Sequence, residues 1–562
     1  MKHPYYILGL AAALAVATPS FAQNDGDRND GKYNPTVSGS IQSDMLAPTG
    51  SQSDGSHEDF RTNTFVDLNV MSKYIDAGAR FEYREHQLPG YDPAFKGYGV
   101  PYVYLKAKLK NFEVTVGNFY EQFGSGFVLR TYEERSLGID NSLLGARIVT
   151  TPVKGVRLKA LTGQQRRYWA HSDSWVSGGD VELSLDSWFK GLAQSGTSLT
   201  LGGSFVNKNE RNDEDVPFNG NYRLVMPRNV NAWDARVTLN THGFNVLAEY
   251  AQKTADPSFK NKYIYRKGTA AMLSASYSKK GFSVLAQAKR SDNFFFNSYR
   301  GESLAQSTIN HLPAFTMDQT YALAALYAYG TRLDGEWAYQ GQLGYKFKRK
   351  TAIGGKYGMM VKVNFSHVRG IDQNPRSLTV NVPEPTVLTG RGTDGYGSAF
   401  WKWGKGGMYY QDLNVQVDRR FTRDFKLSLM YMNQFYNKTV VEGEGGMIHS
   451  NIFIADALFN LSPKTRLRTE LQYLTTGEDE HDWLFALAEL SLVPHWMFTV
   501  SDQYNVGLTD AHYWQTFVTY NTGAHRVQLG WGRTRAGFNC SGGVCRYVPE
   551  TKGFTLSYNY NF

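Results

Sequence analysis

The chain has 562 residues, 14% of them aromatic (36 Tyr, 33 Phe, 11 Trp), with 55 Gly, 2 Cys and a formal net charge of +9. Beyond the N-terminus no apolar run reaches the ~20 residues of a membrane-spanning helix, which excludes a helical membrane protein. Abundant aromatics and 20% charged residues exclude a disordered chain, and two cysteines exclude a disulfide scaffold or a multi-thiolate zinc or iron–sulfur site.

Met1-Lys2-His3 is a short basic start, Tyr5–Ala17 is apolar, and Ser20-Phe21-Ala22 reads as a small-x-small cleavage site. Residues 1–22 are therefore expected to be a cleaved signal peptide, leaving Gln23 first; a lipoprotein would need Cys there. Residues 23–61 are polar and expected to be flexible, with room for a first strand near Val37–Met45. The segment is far too short to be a folded plug domain.

From about residue 62 to the end, apolar residues alternate with polar ones. Val103, Leu105, Ala107 and Leu109 share one face; Lys110-Asn111 turns the chain; Phe112, Val114 and Val116 resume that face. The unit recurs around His242-Gly243, Lys279-Lys280-Gly281 and Ser462-Pro463-Lys464. Two alternating runs around a tight polar turn make a β-hairpin. The runs are about 9–14 residues long, which suits tilted transmembrane strands better than the ~5–6 residues of soluble ones.

Short turns near 72–75, 152–155, 242–243, 279–281, 421–424, 462–464, 493–495 and 522–524 alternate with longer loops. The longer loops lie near 87–100, 122–142, 209–230, 254–267, 292–334, 370–406 and 536–550. Short turns on one side and long loops on the other predict an all-β, antiparallel transmembrane barrel of about 24 strands (roughly 22–26), occupying 62–562. Parity puts Thr320–Tyr329 in a loop, because a strand there would break the alternation. Phe554, Leu556, Tyr558, Tyr560 and Phe562 alternate with polar residues and are similar to the terminal signal that barrel assembly machinery recognises in outer-membrane proteins. In lipid a closed barrel is the all-β solution that satisfies every backbone group.

Charges facing lipid cost ~2–4 kcal/mol near the midplane. Lys106, Lys108, Arg157, Lys159, Arg236, Arg466, Arg468 and Arg526, each alternating with apolar residues, are therefore expected to line the lumen. They form either a solvated interior or a basic path for anionic solutes, and Glu249, Asp412 and Asp418 make the lining mixed. The densest polar stretch is Gly117–Gly126 with Arg130–Asn141. Folded inward, it would bring Arg130 and Arg135 near Glu133, Glu134 and Asp140, with Glu121 and Asn141 at its ends, as a constriction. A salt-bridged structural loop is the alternative. Cys540 and Cys545, with four residues including two glycines between them, are expected to form a local disulfide rather than two free thiols.

Gly117–Gly126 and Arg130–Asn141, with the signal peptide and Phe562, resemble a family of uncharacterised outer-membrane β-barrels from the Bacteroidota. The resemblance implies fold, compartment and taxon, and brings no substrate and no catalytic residue.

No GxSxG, HExxH or phosphate-loop motif is present, and no cofactor, metal or nucleic acid is expected. The acidic run Gly477–Asp482 around His481, facing Asp510 and His512, would suit water activation or Ca²⁺ binding, but such runs are most often solvated loop tips. The chain is read as a non-enzymatic, porin-like channel for small polar or anionic solutes. The alternative is a barrel plugged by its own loops that docks a lipoprotein, a secretion component or a surface glycan; Tyr396, Phe400, Trp401 and Trp403 would serve as anchors, or else form a girdle before the next strand.

Overall fold

The computed structural model describes residues 35–562 except 51, 53–54, 56, 212–215, 219–221, 304–305, 376–387 and 391–393. The signal peptide expected at 1–22 lies outside the described residues. The chain winds through 24 antiparallel strands in one sheet, each paired with the next. The first strand, Thr36–Pro48, pairs with the last, Thr551–Asn561, in the register Ser40↔Asn561 to Pro48↔Gly553. Closure leaves no unpaired edge, the condition for a sheet in a bilayer. The wall thus begins at Thr36 rather than at 62: without that strand, Arg61–Met71 and Thr551–Asn561 would each expose a row of unpaired backbone groups.

One end of the barrel carries tight turns such as 110–111, 242–243 and 523–524; the other carries the loops 84–97, 120–142, 254–267 and 293–334. The alternation has exceptions. At the long-loop end, Tyr168-Trp169 turns the chain in two residues, with Tyr168 in the left-handed region at φ 56°. At the tight-turn end, 185–196 and 348–358 are longer. Thr320–Tyr329 forms no strand.

Alternation sorts the side chains. Leu105, Val237, Leu273, Leu429, Phe453, Leu471, Val500 and Leu529 are exposed on the outer face, the belt a lipid bilayer requires. Rings cluster at its margins: Phe244, Tyr277, Phe282 and Tyr345 follow one another near the tight turns, and Trp233 packs on Tyr250 near the long loops. The inner face is layered. Toward the long-loop end it turns apolar, with Val176, Val206, Val230, Ala232, Met432, Ile448, Leu474 and Trp483 all buried. Toward the tight turns it is polar.

Candidate functional site: the filled lumen

Two loops fold into the barrel at the apolar inner layer. The first, 120–142, turns on Gly126 at φ 102°, a conformation that side chains disfavour. Phe123 N–H donates to Leu129 O (3.0 Å) and Gly126 N–H to Phe123 O (2.9 Å). This compact bend aims Phe123, Phe127, Val128 and Leu129 into the interior, where all four are fully buried. The second, 293–334, contributes Phe294, Phe296, Ile309, Leu312, Phe315 and Leu323 to the same core. Backbone hydrogen bonds join the two: Arg130 N–H to Ile309 O (2.8 Å) and His311 N–H to Gly126 O (2.9 Å). The second loop also reaches well-separated parts of the wall. Gln165 donates to Thr308 O (2.9 Å), Leu323 N–H donates to Gln472 Oε1 (2.9 Å), and Gln434 donates to Tyr327 O (3.1 Å). Tyr327 donates to Asp479 (3.0 Å), in the loop beyond the strand Thr465–Thr475.

A lattice of buried charge welds the first loop to the wall. Asp140 receives Arg166 (2.6 Å), Arg80 (3.0 Å) and the Tyr120 hydroxyl (3.0 Å). Arg166 also grips both oxygens of Glu82 (2.8 and 2.9 Å), and Arg84 joins Glu82 at 3.1 Å. Arg80 extends to Asp67 and Glu133 (3.0 Å each), and Arg135 closes the circuit to Glu133 (2.6 Å) and Asp67 (2.8 Å). Burial alone would raise Asp140, but Arg166 and Arg80 outweigh it and hold the carboxyl at about 2. Beside this lattice, Glu121 pairs with Arg147 and with Lys159 (2.8 Å).

Of the expected constriction residues, the structure brings Arg135 to Glu133 and sets Glu121 and Asp140 among arginines. Arg130 makes no ion pair among the described residues and lies over the Tyr132 ring at 4.9 Å. Glu134 accepts from Ser136 N–H (3.2 Å) and Oγ (2.7 Å). Asn141 donates its N–H to Tyr132 O (3.0 Å). Sequence reading missed Asp67, Arg80, Glu82, Arg84, Arg147 and Arg166. Arg80 and Glu82 carried a signal, since they alternate with Ala79 and Phe81 as inward charges.

The cations expected to line the lumen mostly face carboxylates. Lys106 stands 3.8 Å from Glu113, Lys108 2.6 Å from Asp76, and Arg157 3.8 Å from Glu182. Arg236 binds Asp180 (2.5 Å), Asp234 (2.9 Å) and Glu182 (3.1 Å), and Arg468 binds Asp456 (3.1 Å) and Glu470. Arg466 and Arg526 are exposed. A polar cavity of about 350 Å³ remains beside the first loop, lined by Arg80, Tyr102, Lys106, Asn118, Tyr120 and Arg147.

The acidic loop is dispersed. Asp479 pairs with Lys438 (2.6 Å), Asp482 accepts from Tyr473 (2.5 Å), Asp510 accepts from Tyr504 (3.2 Å), and His512 pairs with Asp502 (2.6 Å). Among the described residues no group of three or more His, Cys, Asp or Glu could hold a metal. Cys540 and Cys545 form a disulfide at the turn of the hairpin Gly537–Ser541/Val544–Val548. In the 372–402 loop, Tyr396 is tied to Asp292 (2.7 Å) and Phe400 packs on Trp337. Trp401 and, beyond the loop, Trp403 are 84% and 56% exposed.

No curated protein matches the chain. Among solved structures it is similar to the siderophore receptor PirA from Pseudomonas aeruginosa (10% identity, 96% of this chain and 81% of that one, TM-score 0.41). It is also similar to the translocation pore of the P pilus usher PapC (10%, 94% and 99%, 0.42) and to OccAB3 of Acinetobacter baumannii (8%, 94% and 99%, 0.35). The model of a family of unknown function, DUF6029, matches residues 2–562, and the chain belongs to that family.

Proposed function

We propose that the protein is a bacterial outer-membrane barrel, exported through its signal peptide, that stands closed by its own loops and serves as a docking barrel. The supporting observation is the apolar core inside the lumen: Phe123, Phe127, Leu129, Phe294 and Leu312 pack against inward Val and Ile of the wall. A porin constriction needs a wetted gap, whereas these side chains are out of water. The exposed Trp401 and Trp403 are the contact surface for a lipoprotein, a secretion component or a surface glycan, since exposed tryptophans are enriched among interface anchors. The reading includes no catalytic step, cofactor or metal.

A second reading, a gated channel for small polar solutes, is favoured by the polar cavity around Arg80, Lys106 and Arg147. Planar-bilayer conductance separates the two. The intact protein should be silent, and a variant with residues 306–329 replaced by a short Gly–Ser link should conduct. Steady steps from the intact, heat-modifiable barrel would overturn the docking reading.

A further inference from the structure

A separate cavity of about 310 Å³ lies at the long-loop end, between the second inserted loop and the disulfide hairpin. Segments 308–312 and 328–333 form its floor, and Phe538 and Val544 of the hairpin form its roof. The roof is held at both ends. Thr331 N–H donates to Gly543 O at the hairpin tip (2.8 Å). Arg546 donates to Ser136 O (2.9 Å) and stacks on Tyr91 at 3.9 Å. The Cys540–Cys545 bond closes the hairpin between these anchors.

The charge balance inside is one-sided. Arg332 lines the cavity but is neutralised by both oxygens of Asp334 (3.1 and 2.6 Å). Burial, with Arg130 and Lys289 adding to it, holds His311 down at about 3, so its ring is neutral. Lys260 has no carboxylate within 4.0 Å among the described residues. With its amide turned to satisfy both atoms, Asn297 offers Lys260 one neutral oxygen at 3.2 Å. An ammonium has three donors, so two remain. The acid nearest in effect, Glu302, is already paired with Arg167 at 3.2 Å. Asn310 adds a buried Oδ1 with no hydrogen-bond partner among the described residues. Leu312, Leu333, Val441 and Phe538 supply apolar surface.

We propose that this cavity is a binding site for a small organic monoanion that carries a hydrogen-bond donor. Its carboxylate meets Lys260 Nζ, its hydroxyl or N–H meets Asn310 Oδ1, and its apolar body lies under Phe538. The volume is at the lower end of small-ligand sites, roughly 300–1,000 Å³. The site stands outside the polar cavity of the wall and is independent of whether the barrel conducts.

The test is calorimetric titration of the full-length protein in nanodiscs with 4-hydroxybenzoate, using 4-hydroxybenzyl alcohol as the uncharged control. Saturable binding of the anion should weaken roughly tenfold or more in Lys260→Met, the loss expected for a charge-assisted hydrogen bond. The alcohol should bind weakly and equally to both proteins. Phe538→Ala should weaken both probes, and heat-dependent gel mobility confirms that each variant is folded. Absence of saturable binding, an unchanged Kd in Lys260→Met, or equal affinity for the alcohol would overturn the proposal.

Discussion

Arg166 shows what a single side chain does here. It is 1% exposed and is the shared partner of two carboxylates, Glu82 and Asp140, that are themselves out of water. A buried ion pair is weak evidence of net stabilisation, but removing one member strands the others. Arg166→Met should therefore lower barrel stability by about 3–5 kcal/mol, read as a lower temperature of heat-modified gel mobility. Asp140 makes the same lattice sensitive to acid. Because its pKa is depressed from 3.8 to about 2, its contribution is full above about pH 4 and is lost as pH falls through about 2. The amount is about 2 kcal/mol. Protease access to 293–334 should rise between pH 4 and 2 in the native protein, and the rise should be smaller in Asp140→Asn, which keeps the other carboxylates of the lattice, Glu82 and Asp67. Asp140 was legible as a site residue because it stands in a dense polar stretch. Its partners were not, since Arg166 is 26 positions away and Arg80 is 60.

At the scale of elements, the two inserted loops behave as one body. Phe127 is fully buried, and its ring meets Phe294 edge-on at 6.5 Å. Phe127→Ala should cost about 3–5 kcal/mol as a cavity that cannot collapse. The loss should appear as faster amide hydrogen exchange in 293–334 as well as in 120–142, because Arg130–Ile309 and Gly126–His311 couple the two. Exchange confined to 120–142 would mean the loops move independently. Phe123, Phe127, Val128 and Leu129 were in plain sight in the sequence, but they follow neither a period of 2 nor of 3.6. Periodicity therefore reads them as part of a polar loop. Thr320–Tyr329 is the reverse case: its residues look like a strand, and only the parity of turns assigns them to a loop.

For the whole molecule, the sidedness of the wall is the governing property. Leu471, 64% exposed on the outer face, alternates with the buried Glu470 and Gln472. Leu471→Arg should destabilise the barrel by ~2–4 kcal/mol in lipid, according to its depth. It should have much less effect in detergent, where the charge can reach water. Refolding yield into vesicles against micelles checks this, and an equal effect in both would mean that the face is not lipid-bound.

Strand count, orientation of the alternating faces and the two unequal ends are legible in the sequence, because each rests on local properties. A period of two is set by the pleat within one strand, and a turn by a few neighbouring residues. What filled the interior could not be read that way. Asp140 finds its charge partners in Arg80 and Arg166, Phe127 finds Phe294, and Lys260 is left, among the described residues, with no carboxylate within 4.0 Å, only once closure brings distant strands around the same space. The tertiary structure alone decided these outcomes, because burial and pairing depend on which groups share a dry volume and not on their order along the chain.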